Sequence, residues 1–94
     1  MNKITEIQII PVKPSNGLVG FASFLLDEKL YLGSVAIYKR LNKDGYRLTF
    51  PTKKIGGRNI NIYHPVNKDV MEEIERSILK KAKEVFSKEH SYFI

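Results

Sequence analysis

Lys53, Lys54 and Arg58 flank the pair Gly56-Gly57 in the stretch "FPTKKIGGRNINIYHPVN", Phe50 to Asn67, with Thr52 just ahead of them and no acid among them. Ammonium and guanidinium groups neutralise phosphates and release their condensed counterions, and a threonine hydroxyl adds a neutral donor. The glycines have a backbone explanation, because two-residue hairpin turns require positive φ, which glycine reaches without a steric penalty. The turn itself does not require three cations. The stretch therefore reads as the tip of a β-ribbon, narrow enough to enter a major groove, with Thr52, Lys53, Lys54 and Arg58 as nucleic-acid contacts. The plainer reading is a solvated hairpin whose charges discourage edge-to-edge aggregation.

The location of the net charge favours contact. Between Lys39 and Arg58 there are seven basic residues against Asp44 alone, while the rest of the chain has nine basic and nine acidic residues. The whole formal surplus of +6 thus sits in one window. A merely soluble surface intersperses both signs, whereas a focused positive field seeks a polyanion. Arg47, and beyond it Lys39, Arg40 and Lys43, extend the candidate surface, although strand alternation can turn some of them away. Arg76 and Lys80 are further candidates on a predicted helix. There Glu72 and Glu84 lie one turn away, and such pairs, about 0.2–0.5 kcal/mol each, are usual on a solvated face.

Other chemistry finds little support. His64 and His90 are the only histidines, no acid lies beside His64 to orient it as a base, and His64 reads as a hydrogen-bonding residue at a strand-to-helix corner. No Ser-His pairing, paired carboxylates, phosphate-binding loop or metal-ligand spacing emerges, so no enzyme, cofactor, metal or small-molecule substrate is expected. "IGGRN" lacks both the spacing and the Lys-Ser/Thr ending of a nucleotide-binding loop. Tyr38, Tyr46, Phe50 and Tyr63 could stack bases, but no basic-aromatic RNA-binding motif accompanies them, and Phe50 reads as packing.

The elements that must position these residues follow from periodicity. Ile4 to Val12 is β-branched-rich and ends in the breaker cluster "PVKPSNG". "LVGFASFLLD" and "LYLGSVAIYK" are apolar on both alternating sets and are separated by a turn at Asp27 to Lys29. In the second of them Gly33 signals a bulge or close backbone approach. "NKDG" turns into "YRLTFP", and the double glycine leads back through "RNINIYH". Beyond Asn67, a helix N-cap, apolar residues Val70, Ile74, Ile78, Ala82 and Val85 recur at steps of three or four, with Met71, Leu79 and Phe86 widening the stripe. Acids lie early and lysines late, as the helix dipole favours. The final "SKEHSYFI" reads either as helix extension or as a docked tail.

These features predict an α+β fold: a small antiparallel sheet of about five strands with one C-terminal amphipathic helix packed on it, a single domain over residues 1–94. One helix covers one face, and the two-sided strands need cover on the other. The economical cover is a second copy, so a homodimer through the sheet is expected. No cysteine is present, which excludes disulfides and fits a reducing compartment. The longest uncharged run, Pro14 to Leu26, has 13 residues, fewer than the roughly 18 of a membrane span, and no secretory signal is visible. A cytoplasmic protein without membrane association is expected.

Several ordered blocks, "ITEIQIIPV", "FASFLLD", "GYRLTFPTKK" and "HPVN", resemble the SpoVG family, the stage V sporulation protein G or septation-regulator proteins of bacteria, over Ile4 to about Phe86. The resemblance implies a small antiparallel sheet with a C-terminal helix, dimerisation through the sheet, and sequence-influenced binding of DNA and, in some members, RNA in gene regulation. The family's Pro-Ser/Thr and two basic residues fall on Pro51, Thr52, Lys53 and Lys54, and its His-Pro on His64 and Pro65. The chain departs from the family pattern at Ala36, where a charged residue is usual, in a longer "LNKDG" connection, and in a shorter "IGGRN" turn without proline. No acidic tail like that of some members is expected. The expectation is a non-enzymatic DNA- and/or RNA-binding regulator; the alternative is a protein-interaction module of division or sporulation machinery whose basic window docks an acidic partner.

Overall fold

The computed structural model describes residues 3–93, with side chains through Ser87. Six strands and one helix follow one another: β1 (Ile4–Ser15), β2 (Leu18–Leu26), β3 (Leu30–Lys39), β4 (Tyr46–Thr49), β5 (Thr52–Ile55), β6 (Arg58–Asn61) and α1 (Lys68–Phe93). β1 to β4 form an antiparallel sheet in chain order, and β5 and β6 form a separate two-stranded ribbon. The α+β class with one C-terminal helix is as expected. The strand count is six in two sheets rather than about five in one, because Pro51, which has no N–H for a ladder, interrupts what the sequence read as one strand.

Local turn chemistry builds the meander. Asn16-Gly17, Asp27-Glu28 and Gly56-Gly57 all hold positive φ at both central positions, the geometry that matches the twist of flanking strands. Asp27 has no glycine's freedom and is tied instead: its carboxylate accepts the Lys3 N–H at 2.8 Å, and Lys3 Nζ pairs with Glu28 at 2.9 Å.

Bulges decide which residues reach the core. Gly33 and Ser34 oppose Ser23 alone, and Ser34 carries φ 60°; on β1, Glu6 and Ile7 oppose Phe24 alone, with Glu6 at φ 48°. An extra residue re-phases the alternation. Leu32, Val35 and Ile37 therefore all pack into the core, although strict alternation would separate Leu32 from the other two. The buried centre is Ala22, Phe24, Val35, Ile37 and Phe50 against Ile74, Ile78 and Ala82 of α1.

The helix starts where the sequence places it. Asn67 Oδ1 accepts the N–H groups of Asp69 (2.8 Å) and Val70 (3.2 Å), satisfying donors that the first turn leaves free. α1 comes closest to β1. Phe86 stacks on Tyr46 at 5.2 Å and lies over Gly20, where a Cβ would come within 2.9 Å of the Ile10 carbonyl and 3.1 Å of the Phe86 ring. Only glycine admits that approach. No helix among the described residues is long and apolar enough to cross a membrane.

Among the described residues no second layer packs on the other face of the sheet. The cross-strand row Ile10, Phe21, Ala36 and Thr49 lies there, with Ile10 60% and Phe21 36% exposed, and Tyr31 is 70% exposed.

Candidate nucleic-acid interface

The β5–β6 ribbon is an arm. Every residue of both strands is exposed. Its base is clasped rather than its length packed. Pro51 O accepts the Ile62 N–H at 3.0 Å. Phe50, buried, meets Tyr63 edge-on at 5.9 Å, so the residues that enter and leave the arm grip each other. The Tyr63 hydroxyl donates to Gly33 O at 2.6 Å, a carbonyl at the β3 bulge. Burial, with the nearby Tyr31 phenol, pushes the Tyr63 pKa up to about 12. It remains a neutral donor across the physiological range.

Register distributes the arm's side chains. Lys53 faces Ile60 and Ile55 faces Arg58, while Lys54 faces Asn59 and Thr52 faces Asn61. Directly opposed residues share a face and neighbours alternate. One face therefore holds Lys53, Arg58, Ile55 and Ile60, and the other holds Thr52, Lys54, Asn59 and Asn61. The three cations do not face outward together: Lys53 and Arg58 share a face, and Lys54 lies on the reverse. Asn59 and Asn61 were missed by reading for charge alone, although counting alternate positions from the double glycine would have placed them beside Lys54. Asparagine amides can pair bidentately with an adenine edge.

A second basic group gathers at the β3–β4 connection. Lys39, Arg40, Lys43 and Arg47 line one concavity with Tyr38 and the β1–β2 turn. The Arg47 guanidinium carbon sits 4.5 Å over the Tyr38 ring. Tyr38, read from the sequence as one of four aromatics that could stack a base, is paired with Arg47 by the β3–β4 register. Arg76 and Lys80 are exposed on α1. Lys80 lies beside Ile7 of β1, at the edge of the sheet opposite β4, from which the arm departs. Among the described residues the ion pair is Lys3 with Glu28, and none of these candidate cations is held by a carboxylate. His64 is exposed, its Nδ1 3.4 Å from Pro65 O. No three His, Cys, Asp or Glu side chains gather as a metal site among the described residues.

Compared with families of known proteins, residues 1–84 match SpoVG. The chain belongs to the SpoVG family. Two relatives, each called "Putative septation protein SpoVG", agree with this. That of Finegoldia magna is 28% identical over 90 residues, covering 95% of this chain and 82% of its own. That of Treponema denticola is 29% identical over 79 residues, covering 83% of each. In this SpoVG chain Pro51 to Lys54 forms the entry to the arm, and His64-Pro65 lies between the clasp residue Tyr63 and the N-cap Asn67.

Proposed function

We propose that this SpoVG chain is a nucleic-acid-binding regulatory protein of the bacterial cytoplasm, acting by occupancy; the word septation in the names of its relatives points to cell division as the process it serves. The observation that carries the reading is the arm: an exposed ribbon with Lys53 and Arg58 on one face, Lys54 among neutral hydrogen-bonding groups on the other, and no carboxylate engaging any of them among the described residues. Thr52, Lys53, Lys54 and Arg58 bind phosphates, and Asn59 and Asn61 are placed to meet base edges beside Lys54. The working unit is a homodimer, the second copy covering the open sheet face around Ile10, Phe21 and Tyr31.

Fluorescence anisotropy on labelled duplex DNA, single-stranded DNA and RNA tests this. Affinity should fall log-linearly with salt, at about −0.9 per neutralised phosphate on duplex. The double variant Lys53→Ala, Lys54→Ala should flatten the slope while leaving the fold intact. A second reading draws on Ile55 and Ile60, which share the face of Lys53 and Arg58: such a face also suits an acidic protein partner in division machinery. Failure of all three nucleic acids to bind better than a charge-matched polyanion control would transfer support to that reading.

A further inference from the structure

The concavity at the β3–β4 connection is separate from the arm. Its walls come from the end of β3, the connection at 40–45, the start of β4 and the Asn16-Gly17 turn. The backbone fixes that shape: Lys39 N–H donates to Gly17 O at 2.8 Å, tying β3 to the turn, and Arg40 N–H donates to Gly45 O at 3.1 Å, closing the connection. The space is about 310 Å³, the size of a small ligand site and far below a turn of duplex.

The floor is an arginine laid on an aromatic ring. Arg47 sits 4.5 Å over Tyr38, and its Nη1 donates to Thr49 Oγ1 at 3.3 Å, so the guanidinium is held from two sides. A guanidinium supported in this way is a platform on which an unpaired base stacks. Around it Lys39, Arg40 and Lys43 supply cations for a phosphate. Arg40 spends one donor on Tyr46 O, at 3.4 Å, and keeps four of its five. Asn16 and Asn42 bring amides that can pair with a base edge. Among the described residues no carboxylate lines this space; Asp44 borders the adjoining hollow on the same connection. At the rim Leu41 is 93% exposed, an apolar side chain that a sugar or base would cover.

Resting on the reading of the chain as a nucleic-acid binder, we infer that this concavity takes one unpaired nucleotide of a single strand. The base stacks on Arg47 over Tyr38, and the phosphate lies among Lys39, Arg40 and Lys43. A paired base cannot enter, because both its faces are already stacked. The site therefore favours single-stranded over duplex ligand, and the arm has no part in that preference.

The test uses Arg47→Lys, which keeps the charge and removes the plane. Short single strands of DNA or RNA carrying one 2-aminopurine are titrated with the whole protein, alongside the matching duplex and a free nucleoside monophosphate. The wild type should quench 2-aminopurine in the single strands. Arg47→Lys should abolish the quench and weaken single-strand binding roughly 5- to 150-fold, the range of one lost base stack, with the salt slope and duplex affinity unchanged. Lys43→Gln, in the exposed connection, should instead lower the slope by about one unit. Wild-type affinity for single strands in Arg47→Lys, or no quench while salt-dependent binding persists, would overturn the nucleotide site and leave the arm reading standing. Saturation by the free nucleotide at the affinity of the strands would overturn the assignment to a strand. Absence of binding to every nucleic acid would sink both readings.

Discussion

The four-stranded sheet and the arm share a local construction, antiparallel strands with tight positive-φ turns at the β1–β2, β2–β3 and β5–β6 connections, and yet they are held up by different forces. In the sheet, every second residue of β2 enters a core closed by α1, so burial fixes the register. In the arm no residue is buried; the turn sets its register, and the Phe50–Tyr63 clasp sets its direction. Side chains along the arm are consequently free of packing duty. They can be charged or amide-bearing on both faces at little cost to stability, which is the condition for a binding surface.

Substitutions that contrast the two regions sharpen this difference. The largest loss is expected for Phe24→Ala, which empties a fully buried site between two bulges and should cost about 3–5 kcal/mol in urea unfolding. A matched pair of glycines comes next. Gly20→Ala forces a methyl against the Ile10 carbonyl and the Phe86 ring and should cost about 1–3 kcal/mol of global stability. Gly57→Ala meets open space at φ 79°, so its strain should appear as faster amide exchange and weaker binding confined to the arm, with the unfolding midpoint nearly unmoved.

The clasp should respond in both regions. Tyr63→Phe removes the bond to Gly33 O, worth about 1 kcal/mol. The raised phenol pKa also gives a signature in alkali. Because the folded state holds the proton that the unfolded chain releases at about 10, stability present below pH 10 is lost as pH rises from about 10 towards about 12. Tyr63→Phe should lose that component of the decline. The smallest stability effect, within about 0.5 kcal/mol, is expected for Lys53→Ala with Lys54→Ala, although these should alter nucleic-acid binding most among the arm variants. A global stability loss as large as that of Gly20→Ala would mean that the arm is part of the folded core after all.

Much of the fold was legible where one local rule decides. The Asn67 cap, the Ile74-Ile78-Ala82 stripe and the Gly33 irregularity follow from capping, helical period and the depletion of glycine in strands. The outer-face position of Phe21 follows from simple alternation along β2. What alternation could not give was the phase across a bulge: Leu32 and Val35 are three apart and share the core only because Gly33 and Ser34 together oppose one residue. The interruption at Phe50-Pro51 was present in the sequence as a proline, but whether a proline ends a strand or sits at an edge depends on tertiary context. At the candidate site, charge concentration picked out an exposed segment and not its geometry. Clustering in sequence brought Lys39, Arg40, Lys43 and Arg47 to one concavity, while in the arm the same clustering put Lys53 and Lys54 back to back, because adjacent strand residues always diverge.

The parity of the arm has a consequence for how such a protein can change. Adding one residue to either leg between the clasp and the glycines would exchange the amide-bearing side for the isoleucine-bearing side along that leg. Adding a matched pair to each leg would merely lengthen the reach by about 7 Å. Length changes in even steps can thus retune how far the ribbon extends without rewriting its chemistry, whereas an odd step in one leg scrambles the chemistry with no change to the body beneath.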